Sequence, residues 1–129
     1  MKASFDDRQP IFQQIAEMIE DDILNGTYKE GERIISVAQF ARTFQINPAT
    51  VVKGIALLVN EGILYKKRGL GMFVAVDARK IIMSKRRERF YNEMVLNLLN
   101  EAEKLELTTE DVIEMLKQKK NGSIDECSS

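Results

Sequence analysis

The 129-residue sequence contains no histidine, no tryptophan and a single cysteine. The absence of histidine removes the commonest general base and the commonest metal ligand. No nucleophile is paired with a base elsewhere in the chain, so no catalytic residue, metal site or cofactor is expected. One cysteine excludes an internal disulfide framework and suits a reducing compartment. Cys127 falls in the closing N-G-S-I-D-E-C-S-S and reads as part of an inert tail. Long apolar runs are also missing. The run Ile55 to Val59 is far short of the ~20 residues that cross a bilayer, and the opening M-K-A-S-F-D-D-R has no apolar signal region. A cytoplasmic protein with no membrane partner is the expectation. Glycine-rich phosphate loops are absent too, since Gly69-Leu70-Gly71 lacks the further glycine and the following helix that a dinucleotide loop requires.

What is present is a core-forming hydrophobic fraction of 44% and a charged fraction of 30%, which makes one ordinary domain or a small domain with an appendage. The net charge of −1 hides a strong asymmetry. Residues 1–65 carry six Lys/Arg against nine Asp/Glu, residues 66–89 nine against two, and residues 90–129 four against nine. Positive charge is thus concentrated in one central segment, which is either a solvated face or the mark of an anionic partner.

Periodicity and punctuation place the elements. From Pro10 the apolar residues Ile11, Ile15, Met18, Ile19 and Ile23 recur at helical spacing, with Glu17, Glu20, Asp21 and Asp22 mostly away from that face and Gly26 at the end. Ser36-Val37-Ala38-Gln39 is a capping box that opens a short helix to Phe44. After the turn at Gln45-Ile46, Asn47 caps a longer helix with Pro48 at its first position and Gly62 beyond its end. Two capped helices joined by a few residues make a helix-turn-helix. The period then changes: I-L-Y-K-K and M-F-V-A-V are extended, with R-G-L-G turning between them. Helix-turn-helix followed by a hairpin is a winged helix. From Arg79 a long helix is predicted, with Tyr91, Met94, Val95, Leu98, Leu99, Ala102 and Leu105 recurring at three and four as an apolar seam. Thr108, with Asp111 three residues on, opens a last helix that Gly122 is expected to end.

Several of these stretches carry a resemblance. P-I-F-Q-Q-I-A at 10–16, I-L-N-G at 23–26, G-E-R-I at 31–34, S-V-A-Q-F-A at 36–41, N-P-A-T-V-V-K at 47–53, N-E-G-I-L-Y at 60–65 and R-G-L-G-M-F-V at 68–74 occur in the order and spacing of the GntR-family DNA-binding domain. Residues Pro10 to Ala75 therefore resemble the N-terminal domain of these bacterial transcription regulators. The short remainder looks like the YtrA-like subfamily, whose members carry two extra helices that serve dimerisation.

The resemblance implies a mainly α fold with a small β hairpin: a winged helix-turn-helix domain over 8–76, a two-helix dimerisation region over 77–121 and a flexible tail over 122–129. It implies that Asn47, Ala49, Thr50 and Lys53 face the DNA major groove, that Ser36 meets a phosphate, and that Lys66, Lys67, Arg68 and Gly69 form the DNA-facing wing. The seam from Tyr91 to Leu105 is the implied homodimer contact. The chain departs from the family at Ile34-Ile35-Ser36, where leucine-proline-serine is usual, and at Ala38, Ala49, Lys53-Gly54-Ile55 and Leu70; several of these departures remove polar or basic groups.

The expected function is sequence-specific regulation of transcription, in the sense of a repressor, by a homodimer on an inverted-repeat operator of double-stranded DNA. The alternative is a winged-helix adaptor that binds protein. The residues leave open whether Lys85, Arg86, Arg87 and Arg89 face DNA or pair with acidic groups of a partner chain, and they name no small-molecule effector.

Overall fold

The structure, a computed structural model, describes residues 5, 7 and 9–127, with side chains up to residue 118. The chain divides into two compact units, Met1–Lys85 and Arg86–Ser129.

The first unit is built on three helices, α1 (Ile11–Leu24), α2 (Val37–Phe44) and α3 (Pro48–Asn60), followed by strands β1 (Leu64–Lys67) and β2 (Gly71–Val74) and the opening turns of α4 (Ala78–Phe90). Ile15 and Ile19 of α1, Phe40 of α2, Val51, Ile55 and Leu58 of α3, and Leu64 and Val74 of the hairpin fill one core. Truncating a buried aromatic such as Phe40 to alanine costs about 3–5 kcal/mol. Helix ends follow local chemistry. Ser36 Oγ accepts from the Gln39 N–H at 3.1 Å, and Asn47 Oδ1 from the Ala49 N–H at 2.8 Å. Gln45 takes the left-handed conformation, φ 55°, that ends α2, and the Ile46 N–H returns to the Ala41 carbonyl. Gly62 does the same for the segment after α3, with φ 79°.

The strands pair antiparallel with Leu64 opposite Val74 and Lys67 opposite Gly71. Leu70 N–H bonds to the Lys67 carbonyl at 2.9 Å, closing a turn in which Gly69 holds the positive φ. The segment around Arg33 pairs with the outer edge of β2, through Ile34 N–H to the Met72 carbonyl and Val74 N–H to the Glu32 carbonyl. Tyr28, whose hydroxyl burial pushes above its usual pKa, accepts the Ile35 N–H at 3.2 Å and holds this segment in place.

Three features of this unit depart from the sequence reading. Ile11 is exposed, because the first turn of α1 extends past the covered core. Glu20 and Asp22 are buried, at 1% and 4% exposure, where amphipathic spacing set them outward. Asp22 lies beside Tyr28, whose N–H bonds its carbonyl at 3.0 Å, and Glu20 is met by α4. Ala78 and Ile82 are buried, Arg79 donates to the Leu24 carbonyl, and Lys85 bonds both Glu20 Oε2 and, at 2.8 Å, Glu61 Oε1. Lys85 is therefore a cation of the fold, paired within its own chain, and the first unit runs past residue 76 to include it.

In the second unit α4 passes into a π-helical segment, Tyr91–Val95, then α5 (Leu96–Lys104) and α6 (Thr109–Cys127). The long regular helix expected from Arg79 is thus interrupted, with the Leu96 N–H reaching the Tyr91 carbonyl five residues back. Glu106, at φ 60°, turns the chain, and Leu107 N–H bonds to the Ala102 carbonyl at 2.9 Å. Thr108 and Asp111 then cap α6 reciprocally: Asp111 N–H to Thr108 Oγ1 at 3.0 Å and Thr108 N–H to Asp111 Oδ2 at 2.9 Å. Helix α6 continues past Gly122, where its end was expected. An interior glycine costs only about 1 kcal/mol relative to alanine, too little by itself to end the helix. Residues 122–127, assigned to a flexible tail by the sequence, are helical, while 128 and 129 and the side chain of Cys127 lie outside the description.

The triad of Lys85 with Glu20 and Glu61 makes a testable claim. Lys85→Met takes the ammonium from a buried carboxylate and is expected to cost about 1–3 kcal/mol in urea unfolding. Adding Glu20→Gln is expected to cost less than the sum of the single changes. Additive losses would show that the contact contributes nothing.

Candidate nucleic-acid interface

Helix α3 has two sharply different faces. Val51, Gly54, Ile55 and Leu58 are buried, and Val59 is partly buried against the core. Gly54 presses against α1: a Cβ there would lie 2.8 Å from the Phe12 carbonyl oxygen and 3.1 Å from Ile15 Cγ2. With that face committed, Ala49, Val52, Lys53 and Ala56 point outward, all exposed, at the i, i+3, i+4, i+7 spacing of one helix face. Asn47 is exposed at the cap and Thr50 is half-buried behind it.

The outward face has distinct flanks. On one, Lys53 Nζ lies 4.3 Å from the centroid of the Phe12 ring, a contact worth about 0.5–1 kcal/mol at an exposed site. On the other, Val52 and Ala56 border a cleft of about 670 Å³ between α3 and the hairpin. Ile35, Leu70 and Met72 contribute its remaining apolar walls, and Arg33, Ser36, Gln39 and Lys66 its polar groups; no acidic side chain lines it. The Ser36 hydroxyl accepts the Gln39 N–H and keeps its own proton free to donate.

The alternation of the hairpin sorts its cations. Lys66 shares a face with Leu64 and Met72 and lines the cleft. Lys67 shares the other with Tyr65 and Phe73, its Nζ 4.5 Å from the Phe73 centroid and 5.8 Å from that of Tyr65. The two rings stack at 5.9 Å. Arg68 and Gly69 form the exposed tip. Arg33 braces it: Nη1 donates to the Leu70 carbonyl at 3.4 Å, and its stem leaves a Cβ on Gly71 only 3.2 Å from Cδ.

The structure thus gathers Ser36, Ala49 and the wing residues Lys66, Lys67, Arg68 and Gly69 onto the α2, α3 and hairpin elements of one unit, while Lys53 stands across α3 from the cleft. Sequence reasoning missed Val52, Ala56 and Arg33. The first two were findable by stepping along α3 from Ala49 at helical spacing; Arg33 depends on a strand pairing that no local pattern announces. Of the basic run beyond the hairpin, Lys85 is held by Glu20 and Glu61, and Arg89 lies 4.0 Å from Glu93 one turn on.

Known proteins share this arrangement. The sequence profile of the family described as "Bacterial regulatory proteins, gntR family" matches residues 11–74. A GntR-family protein from Bacteroides thetaiotaomicron is 36% identical and superposes with a TM-score of 0.74, covering 84% of this chain and 95% of that one. The chain belongs to the GntR family of bacterial regulators. It is a DNA-binding transcription regulator with a winged helix-turn-helix domain, and it is not an enzyme. Two further similarities concern action. The HTH-type transcriptional repressor YtrA of Bacillus subtilis (strain 168) is 32% identical over 74 residues, 57% of each chain. A crystal structure of AraR(DBD) in complex with operator ORR3 superposes with a TM-score of 0.52 at 29% identity, covering 56% of this GntR-family chain and 87% of that one. No described helix is long and apolar enough to cross a membrane.

The position of α3 depends on the missing side chain at residue 54. Gly54→Ala gains up to about 1 kcal/mol of helix propensity but forces α3 away from the α1 backbone, for which overpacking costs about 1–3 kcal/mol. A net loss near 1 kcal/mol is expected in the urea midpoint; a rise would show that α1 yields freely.

Proposed function

We propose that this GntR-family regulator is a YtrA-like repressor that acts in the cytoplasm and binds an inverted-repeat operator as a homodimer. Helix α3 of each protomer enters the major groove with Asn47, Ala49, Thr50 and Lys53 toward the bases. Ser36 meets a phosphate at the start of α2, and Lys66, Lys67, Arg68 and Gly69 lie along the adjoining backbone. Phosphate contacts of this kind position the protein and make binding fall with salt.

The observation that carries the dimer is the apolar face of the second unit. Tyr91, Met94, Leu98 and Leu105 are 53%, 63%, 44% and 71% exposed, with Phe90 beside them at 57%. Val95 and Leu99 are half-buried. Such a concentration of large apolar side chains on one short helical region is what an interface leaves when a chain is viewed alone. Ala102 is excluded from that face. It is buried on α5, where α6 returns and contributes the buried Val112, so it serves the packing within one chain. In this reading the dimer contacts come from the part of the 77–121 region beyond Lys85, since Ala78, Ile82 and Lys85 serve the first unit. Two α3 helices held by one dimer engage half-sites about 34–36 Å apart, which multiplies the affinity of a sparsely charged reader.

Footprinting on the DNA upstream of the gene across a salt titration tests the assignment. Lys67→Ala and Arg68→Ala are each expected to weaken all duplexes alike and to reduce the salt slope by about 0.9 per phosphate contact and half-site. Lys53→Ala is expected instead to change the relative affinity for different sequences; binding every duplex as the unaltered protein does would remove Lys53 from the readout.

Leu98→Asp places a charge on the proposed interface. Sedimentation velocity should then report a monomer, and operator affinity should fall by about 100-fold or more. A dimer of unchanged strength would move the interface elsewhere.

A further inference from the structure

We propose that this regulator selects its operator through thymine 5-methyl groups packed against Ala49, Val52 and Ala56 of α3. The inference rests on the preceding reading that α3 is the helix entering the major groove. It adds what that helix looks for, and it gives the main role to Val52.

The groove-facing surface is unusual in what it offers. Of the four exposed positions at helical spacing, three are apolar and only Lys53 is charged. Lys53 stands at the flank of the face, drawn over the Phe12 ring. Val52 stands at the border of the cleft and is 52% exposed, so about half of its apolar side chain is left open to whatever meets this face. The same face therefore presents methyl groups where a reader of guanine or adenine would present guanidinium or amide groups.

Base edges in the major groove differ in what they can give such a surface. Guanine, adenine and cytosine display acceptors or donors, whereas thymine adds a methyl group beside its single acceptor. Covering a donor or acceptor with Val52 and leaving it unsatisfied costs free energy. Covering a thymine methyl releases water from two apolar surfaces. Both effects favour half-sites with thymine opposite the middle of α3. Ala49 and Ala56 are short enough to let the helix backbone approach, and Val52 between them is the side chain that projects.

The test isolates the methyl group. The strongest duplex from the upstream footprint is synthesised twice, with thymidine and with deoxyuridine, and titrated with the full chain. Deoxyuridine keeps every hydrogen-bonding atom and removes only the methyl. The uracil duplex is expected to bind about fourfold more weakly for each methyl group that the protein buries. Because removing methyls also alters DNA stiffness, the same pair is titrated with Val52→Ser. Val52 lies outside the core, so this variant should keep the unfolding midpoint, and its preference for thymine over uracil should shrink toward one. Equal binding of the two duplexes by the unaltered protein overturns the proposal. So does a thymine preference that survives Val52→Ser at full size. Failure to bind even the thymine duplex is a different result: it overturns the operator reading itself, and this inference with it.

Discussion

The contact between α1 and α3 at Gly54 is the constraint on which the rest of this molecule depends. Where a Cβ would stand 2.8 Å from a backbone oxygen, the two helices meet without a spacer. That contact sets the rotation of α3 about its own axis. Val51, Ile55 and Leu58 then point into the core together, and Ala49, Val52, Lys53 and Ala56 point out together. A helix that is apolar almost throughout would otherwise have no reason to prefer one face. Close approach at a single glycine, backed by the ring of Phe12 under Lys53, turns a hydrophobic segment into a surface with a defined outward side.

Charge is divided with similar economy. The basic segment 66–89 looks in sequence like one uniform patch, but its members do different work. Lys85 is drawn inward by Glu20 and Glu61 and ties the middle of α4 to α1 and to the end of α3. Lys66 and Lys67 alternate across the hairpin, one beside the cleft and one over aromatic rings. Only part of the apparent positive field therefore belongs to the surface that faces outward beside α3. In the proposed homodimer, two copies of this sparsely charged surface would combine on one duplex, which gives the exposed apolar face of the second unit its part in the proposal.

Much of this was legible in the sequence because it is locally encoded. Ser36, Asn47 and Thr108 announce their helices through caps that form within three residues, and Gly62 and Gly69 stand where positive φ is needed. The hairpin follows from a change of period. The positions of the proposed wing and α3 contacts were reachable because they sit on those elements. What escaped was encoded at long range. Glu20 is outward by the periodicity of α1 and buried by α4, which arrives some sixty residues later in the chain. Ala102 belongs by spacing to an exposed seam and is covered by the return of α6. The π segment has no signature in residue type, since it is a choice of hydrogen-bond partner rather than of side chain.

That π segment bears on the homodimer proposed above. A π turn carries one residue more than the α turn it replaces, so Phe90 and the apolar positions after Val95 belong to different helical frames. Two uniform heptad helices can slide past one another by seven residues and recover nearly the same contacts. A helix with a widened turn cannot, because any such slide sets the swelling of one chain against the narrow barrel of the other. In the proposed homodimer the irregularity would act as an index mark, with one alignment accommodating both widened turns at once.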